Sequence, residues 1–151
     1  MPSSRAALFA SFALASLFAS GPVRAVQAGV NWLSADEIRQ QFNDATVDGR
    51  YASGKAFTER YGAGGRLTYT EHGLTLGGHW SVTDGTLCTI YDYDASGGCY
   101  RVTRVDTNCY EFYFASRTEE AAPGPPGSKP RWTARGALQG KPSACKDEPS
   151  V

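Results

Sequence analysis

The sequence predicts a mainly β domain: an antiparallel meander of about seven or eight strands, forming a small barrel or a sandwich, with one short N-terminal helix. Eight short stretches alternate apolar and polar residues with a period of two. Glycine, aspartate or asparagine separates these stretches at regular intervals, as in all-β domains. The candidate strands are residues 46–51, 55–61, 66–71, 74–82, 86–91, 99–105, 109–116 and 131–138.

The first 25 residues have the pattern of an export signal. Arg5 supplies a positive start, residues 6–19 are an uninterrupted run of Ala, Leu, Phe and Ser, and Val23-Arg24-Ala25 is a small-residue cleavage pattern. The run is too short for a membrane-spanning helix, which needs about twenty apolar residues. We therefore expect a signal peptide at 1–25, no membrane span after its removal, and a periplasmic or extracellular protein.

A capping box predicts a helix over residues 35–43. Ser34 is the candidate cap, and Glu37 follows three residues later as the other half of the box. Ile38 and Phe42 are four residues apart, so they share one face of this helix. We expect the helix to lie against one end or edge of the sheet.

Two turns predict how the central strands pair. A type I′ turn at Asp84-Gly85 and a three-residue loop at 106–108, with Asn108 left-handed, fix the registers. The predicted pairs are Val82 with Leu87, Trp80 with Thr89, Val102 with Phe112 and Arg104 with Tyr110. One face is then apolar, made of Trp80, Val82, Leu87, Tyr91, Tyr100, Val102, Tyr110, Phe112 and Phe114. The opposite, more polar face carries Ser81, Cys88, Ile90, Cys99, Arg101, Thr103, Cys109, Glu111 and Tyr113, and is expected to lie outside the core.

Four cysteines follow the export signal, and this even number predicts two disulfides. Of the three possible connectivities we favour Cys88–Cys99, which closes a hairpin, and Cys109–Cys145, which ties down the C-terminal segment. The sequence has no C-x-x-C pair, which is the spacing that would suggest a zinc site. Residues 26–145 are then a single β domain, with a Pro/Gly-rich loop at 121–130 and a tail at 146–151.

The charge balance argues against nucleic acid as a partner. The chain has fifteen basic and fifteen acidic side chains, and removal of Arg5 and Arg24 with the signal leaves thirteen against fifteen. Nucleic-acid binding needs clustered basic residues. The chain without its signal has a net charge of −2 and therefore shows no excess of basic residues. No motif in the sequence implies a cofactor.

Two glutamates are candidates for acid–base chemistry. By alternation, Glu59 and Glu71 share a face with Phe57, Tyr61 and Tyr69, so both carboxylates can point inward near a barrel mouth. Two carboxyls whose environments separate their pKa values could hydrolyse a glycosidic bond of a cell-wall glycan. The alternative is a rim position in water, or pairing with a nearby arginine.

Aromatic residues suggest a ligand site, and an aspartate-rich turn suggests calcium. Trp80, Tyr91, Tyr100 and Tyr110, with Arg104 beside them, could line a barrel mouth and bind a small ligand. The same residues also suit an ordinary core. The turn that carries Asp92, Asp94 and Ser96 matches the first half of a calcium loop, but these residue types are also common turn formers.

The chain resembles a family of small exported proteobacterial proteins of unknown function. The resemblance covers about residues 33–113 and implies an envelope-associated domain without a known activity. The added Cys109 and Cys145 and the proline-rich segment depart from the family pattern. The motifs are Ala35-Asp36-Glu37-Ile38, Phe57-x-Glu59-x-Tyr61, Gly65-Arg66-Leu67, Gly78-x-Trp80-Ser81-Val82-x-Asp84-Gly85-x-Leu87-Cys88 and Cys99-Tyr100-x-Val102.

A shorter string is similar to the S-G-x-x-Y loop of periplasmic lysozyme inhibitors, which are also small disulfide-bearing β barrels. It runs from Ser53-Gly54 to Phe57, which stands where those proteins have Tyr. The sequence therefore leaves three functional hypotheses. The leading one is a non-enzymatic module that binds a small ligand or an envelope protein; the others are a wall-glycan hydrolase using Glu59 and Glu71, and a lysozyme inhibitor acting through the Ser53-Gly54 loop.

Overall fold

The computed structural model describes residues 30–93, 97–115 and 132–146. The predicted signal peptide, the loop at 121–130, Asp94 and Ser96 of the calcium-like turn, and the tail after Lys146 lie outside the described residues. The elements within them are α1 (Ala35–Phe42), a 3-10 turn (Ala63–Gly65), β1 (Ala45–Tyr51), β2 (Ala56–Tyr61), β3 (Arg66–Glu71), β4 (Leu74–Thr83), β5 (Thr86–Tyr91), β6 (Gly97–Asp106), β7 (Cys109–Phe114) and β8 (Ala134–Leu138).

The strands form a closed antiparallel barrel. Each strand pairs with the next along the chain, and β8 pairs with β1 from Val47↔Leu138 to Tyr51↔Ala134. The predicted meander is confirmed, and closure selects the barrel over the sandwich. The eighth strand begins at Ala134, three residues later than predicted, because Trp132 packs against the outside of the barrel instead of continuing the alternation.

Helix α1 lies across one end of the barrel, as expected. Its capping box is present: Glu37 N donates to Ser34 Oγ at 3.3 Å, and Ser34 N donates to a Glu37 carboxylate oxygen at 2.8 Å. Ile38 and Phe42 are fully buried. The Phe42 ring meets the rings of Tyr61, Tyr110 and Phe112 edge-on, with centroids 5.3–5.8 Å apart. We call this the helix end, which carries the turns at 62–65, 84–85 and 107–108, and the opposite end the loop end.

All four predicted strand pairs are present. Asp84 and Gly85 both have positive φ, as a type I′ turn requires. The second turn differs in detail: β6 extends to Asp106, which pairs with Cys109, and Val105 forms a bulge. The predicted three-residue loop is therefore a two-residue turn plus a bulge, which gives the same register. Asn108 is left-handed, with φ of 45°.

The predicted apolar face lines the barrel interior. Trp80, Leu87, Val102, Tyr110 and Phe112 are buried there. The remaining members, Val82, Tyr91, Tyr100 and Phe114, are half-buried.

The predicted outer face is not uniformly exposed, and this corrects the sequence-based expectation. On β7 the outward side chains Cys109, Glu111 and Tyr113 are as buried as the inward ones. Trp32 and Trp132 pack on Tyr113, with the rings of Trp32 and Tyr113 5.2 Å apart. Arg135 pairs with Glu111, and Cys145 is bonded to Cys109. The barrel therefore has a second, small core outside the sheet.

Both predicted disulfides form. Cys88–Cys99 joins directly opposite residues of β5 and β6, and both cysteines are half-buried on the outer face. Cys109–Cys145 ties the C-terminal segment to the buried β7. Among the described residues, no helix is long and apolar enough to cross a membrane.

Candidate functional site

Strand β2 carries a carboxyl group into the barrel interior. Its alternation points Phe57, Glu59 and Tyr61 inward and leaves Thr58 and Arg60 outside. The side chain of Glu59 sits in this interior with only 7% of the residue exposed. A charged residue is rarely buried to this degree without a partner, so its surroundings decide what it can do.

Two tyrosine hydroxyls hold the Glu59 carboxyl. Tyr61 Oη donates to Oε2 at 2.6 Å, and Tyr91 Oη donates to Oε1 at 3.0 Å. No Lys, Arg or His in the part of the chain that the structure describes forms an ion pair with Glu59. Burial raises the pKa of Glu59 above its ordinary value of 4.5, and the two tyrosine bonds oppose this shift only in part.

A small cavity adjoins this carboxyl, and we call it the Glu59 cavity. Its volume is about 30 Å³, room for a group the size of a water molecule. Six aromatic rings form most of its wall, so the carboxyl faces a space that is otherwise largely apolar. The lining residues are Tyr51, Phe57, Glu59, Tyr61, Thr89, Tyr91, Tyr100, Phe112 and Ala134.

Glu71 lies in a different environment, at the rim of the loop end. Its side chain is 22% exposed and is paired with Lys55 at 3.6 Å and His72 at 3.3 Å. A hydrogen bond from Tyr69 Oη, helped by the Lys55 and His72 charges, holds the pKa of Glu71 below its usual value. Burial and pairing therefore shift the pKa values of Glu59 and Glu71 in opposite directions.

The five predicted ligand-binding residues lie in three different places. Tyr91 and Tyr100 line the Glu59 cavity. Trp80 and Tyr110 are buried nearer the helix end, where Trp80 Nε1 donates to the Gly62 carbonyl at 2.9 Å and Tyr110 Oη to the Gln41 side chain at 3.1 Å. Arg104 is exposed and donates to the Asp106 carbonyl at 3.3 Å. The structure thus brings two of the five together with Glu59.

Three of the nine lining residues, Glu59, Tyr91 and Tyr100, are predicted site residues, and the other six are Tyr51, Phe57, Tyr61, Thr89, Phe112 and Ala134. Tyr51 ends β1, and its hydroxyl donates to Tyr69 Oη at 3.1 Å. Thr89 is opposite Trp80 in the predicted register, which already placed it on the inner face. The alternation of β1 was a usable signal for Tyr51, and the pairing of β1 with β2 places its ring 4.7 Å from that of Phe57.

The described part of the calcium-like turn shows an ion-pair cluster. The Asp92 carboxylate lies 3.5 Å from Arg66 Nη2 and 3.8 Å from His79 Nε2. Across residues 30–93, 97–115 and 132–146, no three His, Cys, Asp or Glu side chains are grouped so that they could hold a metal ion. Calcium binding by Asp92, Asp94 and Ser96 stays a prediction.

A wider cleft, of about 530 Å³, lies on the outer surface of β1, β2 and β8. Arg135 and Asp48, two of the charged residues that line it, have partners within the chain. Arg135 Nη2 donates to Glu111 Oε1 at 2.6 Å, and Asp48 accepts from Thr58 at 2.7 Å and from Gln139 at 2.9 Å. The cleft therefore offers less specific chemistry than the Glu59 cavity, which contains a carboxyl without a cation.

Comparison with family models, with curated proteins and with solved structures found no match to this chain. The resemblance to small exported proteobacterial proteins therefore stays a prediction, and the function must be argued from the geometry.

Proposed function

We propose that the chain is an exported, disulfide-stapled barrel that acts as a non-enzymatic binding module, with the Glu59 cavity as its binding site. The observation that carries this proposal is a buried carboxyl beside an aromatic cavity, without a cation among the described residues. Export is supported by the signal-like residues 1–25 and by two disulfides, which persist in oxidising compartments.

The position of Glu59 costs stability, which favours a functional reason for it. Burial of a carboxylate without a counter-ion costs several kcal/mol, and an apolar residue of similar size would avoid that cost. Groups with perturbed pKa values in concave, water-poor surroundings are enriched at functional sites. A binding role explains both the unpaired carboxyl and the cavity next to it.

The two alternatives have less support. A glycosidase needs two carboxyls that flank a sugar, whereas Glu71 is engaged at the rim and the Glu59 cavity is far smaller than a sugar ring. The lysozyme-inhibitor hypothesis rests on the Ser53-Gly54 loop, which is exposed at the loop end with Gly54 at φ of 88°. A turn of this kind is common in hairpins of many functions.

A screen of small fragments by NMR tests the proposal, with two matched variants of β8. Ala134→Val adds two methyl groups to the wall of the cavity, whereas Ala137→Val adds them to the outer face of the same strand. We expect fragments that shift the signals of Tyr91 and Tyr100 in the parent protein and in Ala137→Val, but not in Ala134→Val. The proposal is contradicted if no fragment shifts these signals, or if fragments bind Ala134→Val as they bind the parent protein.

A further inference from the structure

The electrostatics of the Glu59 cavity indicate the charge of its ligand. Each oxygen of the Glu59 carboxyl accepts one tyrosine hydroxyl. An ionised carboxyl offers about four acceptor positions, so each oxygen retains capacity for a further donor. Since no cation pairs with Glu59 among the described residues, a ligand that brings a positive charge would supply the missing counter-ion.

The walls of the cavity also favour a cation. The faces of tyrosine and phenylalanine rings attract ammonium groups, and the attraction is stronger where water is excluded. Tyr51, Phe57, Tyr91 and Tyr100 surround the space beside the carboxyl, and Thr89 adds a hydroxyl that can accept an N–H.

The size of the cavity selects among cations. At about 30 Å³ it accommodates one water-sized group. A primary ammonium at the end of an unbranched alkyl chain has this size, and its three N–H donors suit the Glu59 oxygens and a hydroxyl. A trimethylammonium group is several times larger, and a guanidinium is a broad plane.

We propose that the Glu59 cavity binds a primary ammonium group carried on an unbranched alkyl chain, such as a lysine side chain of a partner or a free alkylamine. This inference rests on the proposed function and specifies the ligand of the same site. The carboxyl of Glu59 accepts from the ammonium beside Tyr91 and Tyr100, and the alkyl chain reaches solvent past these two residues and Tyr51, all of which are half-buried.

Binding of the ammonium is coupled to ionisation of Glu59. Because burial raises the pKa of Glu59, and a neighbouring cation lowers it, binding releases a proton wherever the free protein holds that carboxyl protonated. The other titratable groups around the cavity are tyrosines whose pKa values burial raises, and at the rim Glu71 with its partners. These groups are Tyr51, Tyr61, Tyr69, Tyr91, Tyr100, Glu71, Lys55 and His72.

Titration calorimetry and NMR on the protein with both disulfides formed test the inference. The probe is butylammonium; butanol lacks its charge, tetramethylammonium exceeds its size, and a capped lysine represents a protein side chain. We expect Glu59→Gln to weaken butylammonium binding at least about tenfold, because the buried ion pair is lost. Asp36→Asn, which removes an exposed charge of α1, is the control that leaves the affinity unchanged.

The binding results test the ligand class and the binding site separately. The inference is supported if the protein binds butylammonium but neither butanol nor tetramethylammonium, and if Glu59→Gln and Ala134→Val both abolish that binding. If the capped lysine binds as well, a lysine side chain of a partner protein is the source of the ammonium. If neutral fragments shift the NMR signals of Tyr91 and Tyr100 while butylammonium does not, the proposed ligand class is wrong but the Glu59 cavity is still a binding site. If neither class shifts them, the inference and the proposed function both fail. Equal binding of tetramethylammonium contradicts the size argument.

Discussion

Truncation of Phe42 tests how the helix closes the barrel. The ring is fully buried and meets three other rings edge-on. Phe→Ala in a core costs about 3–5 kcal/mol. Edge-to-face ring pairs contribute about 0.5–1.5 kcal/mol each beyond the area they bury, which places Phe42→Ala near the upper end of that range. Since a domain of this size is stable by about 5–15 kcal/mol, the loss is large.

Urea unfolding under oxidising conditions measures this loss. We expect the free energy of unfolding to fall by about 4–5 kcal/mol and the melting temperature by about 15 °C. Phe42→Leu keeps most of the apolar volume and should cost about 1.5 kcal/mol. Ile90→Ala, at a side chain 59% exposed, should stay within about 0.5 kcal/mol. A loss below about 1 kcal/mol for Phe42→Ala, far under the usual cost of a core Phe, would refute the packing of α1 on the barrel end.

Three further substitutions test other parts of the account by equilibrium unfolding. Because burial raises the pKa of Glu59, the folded state holds this proton more tightly, so stability should fall relative to Glu59→Gln as pH rises above 4.5; parallel curves would contradict this. Asn108→Ala removes buried hydrogen bonds to Leu138 N and O, of 3.0 and 2.9 Å, and should cost about 2–4 kcal/mol. A Cβ at Gly78 would lie 2.3 Å from the Ile90 carbonyl, so Gly78→Ala should cost about 1–3 kcal/mol. Unchanged stability in either variant would show that these contacts are misplaced.

The central hairpins could be predicted from the sequence because their turns carry local information. Asp84-Gly85 requires positive φ at both residues, which sets the β4–β5 register and therefore the side of the sheet on which every neighbouring residue lies. The left-handed Asn108 did the same for β6–β7, even though the loop is shorter than predicted. The disulfide connectivity could also be predicted, because Cys88 and Cys99 flank the β5–β6 loop and Cys145 is left to tie the C-terminal segment to Cys109.

The composition of the site could be predicted only in part, because it depends on barrel closure. Alternation placed Glu59 inside and the β1–β2 hairpin brings Tyr51 near it, but Tyr100 of β6 joins them only in the closed barrel. The second core escaped prediction for a related reason. Trp32 and Trp132 lie outside the regular strands, where a period of two gives no information on direction.

The pKa of Glu59 decides whether the barrel holds an unpaired buried carboxyl that can bind a cation. NMR of the assigned Glu59 side-chain carboxyl carbon, followed with pH, reports its pKa without and with butylammonium. We expect a pKa of Glu59 above 4.5 in the free protein and a lower value when the amine is bound. A Glu59 that titrates at or below 4.5 in the free protein, or whose pKa the amine leaves unchanged, would contradict the claim that this barrel contains an unpaired buried carboxyl that binds a cation.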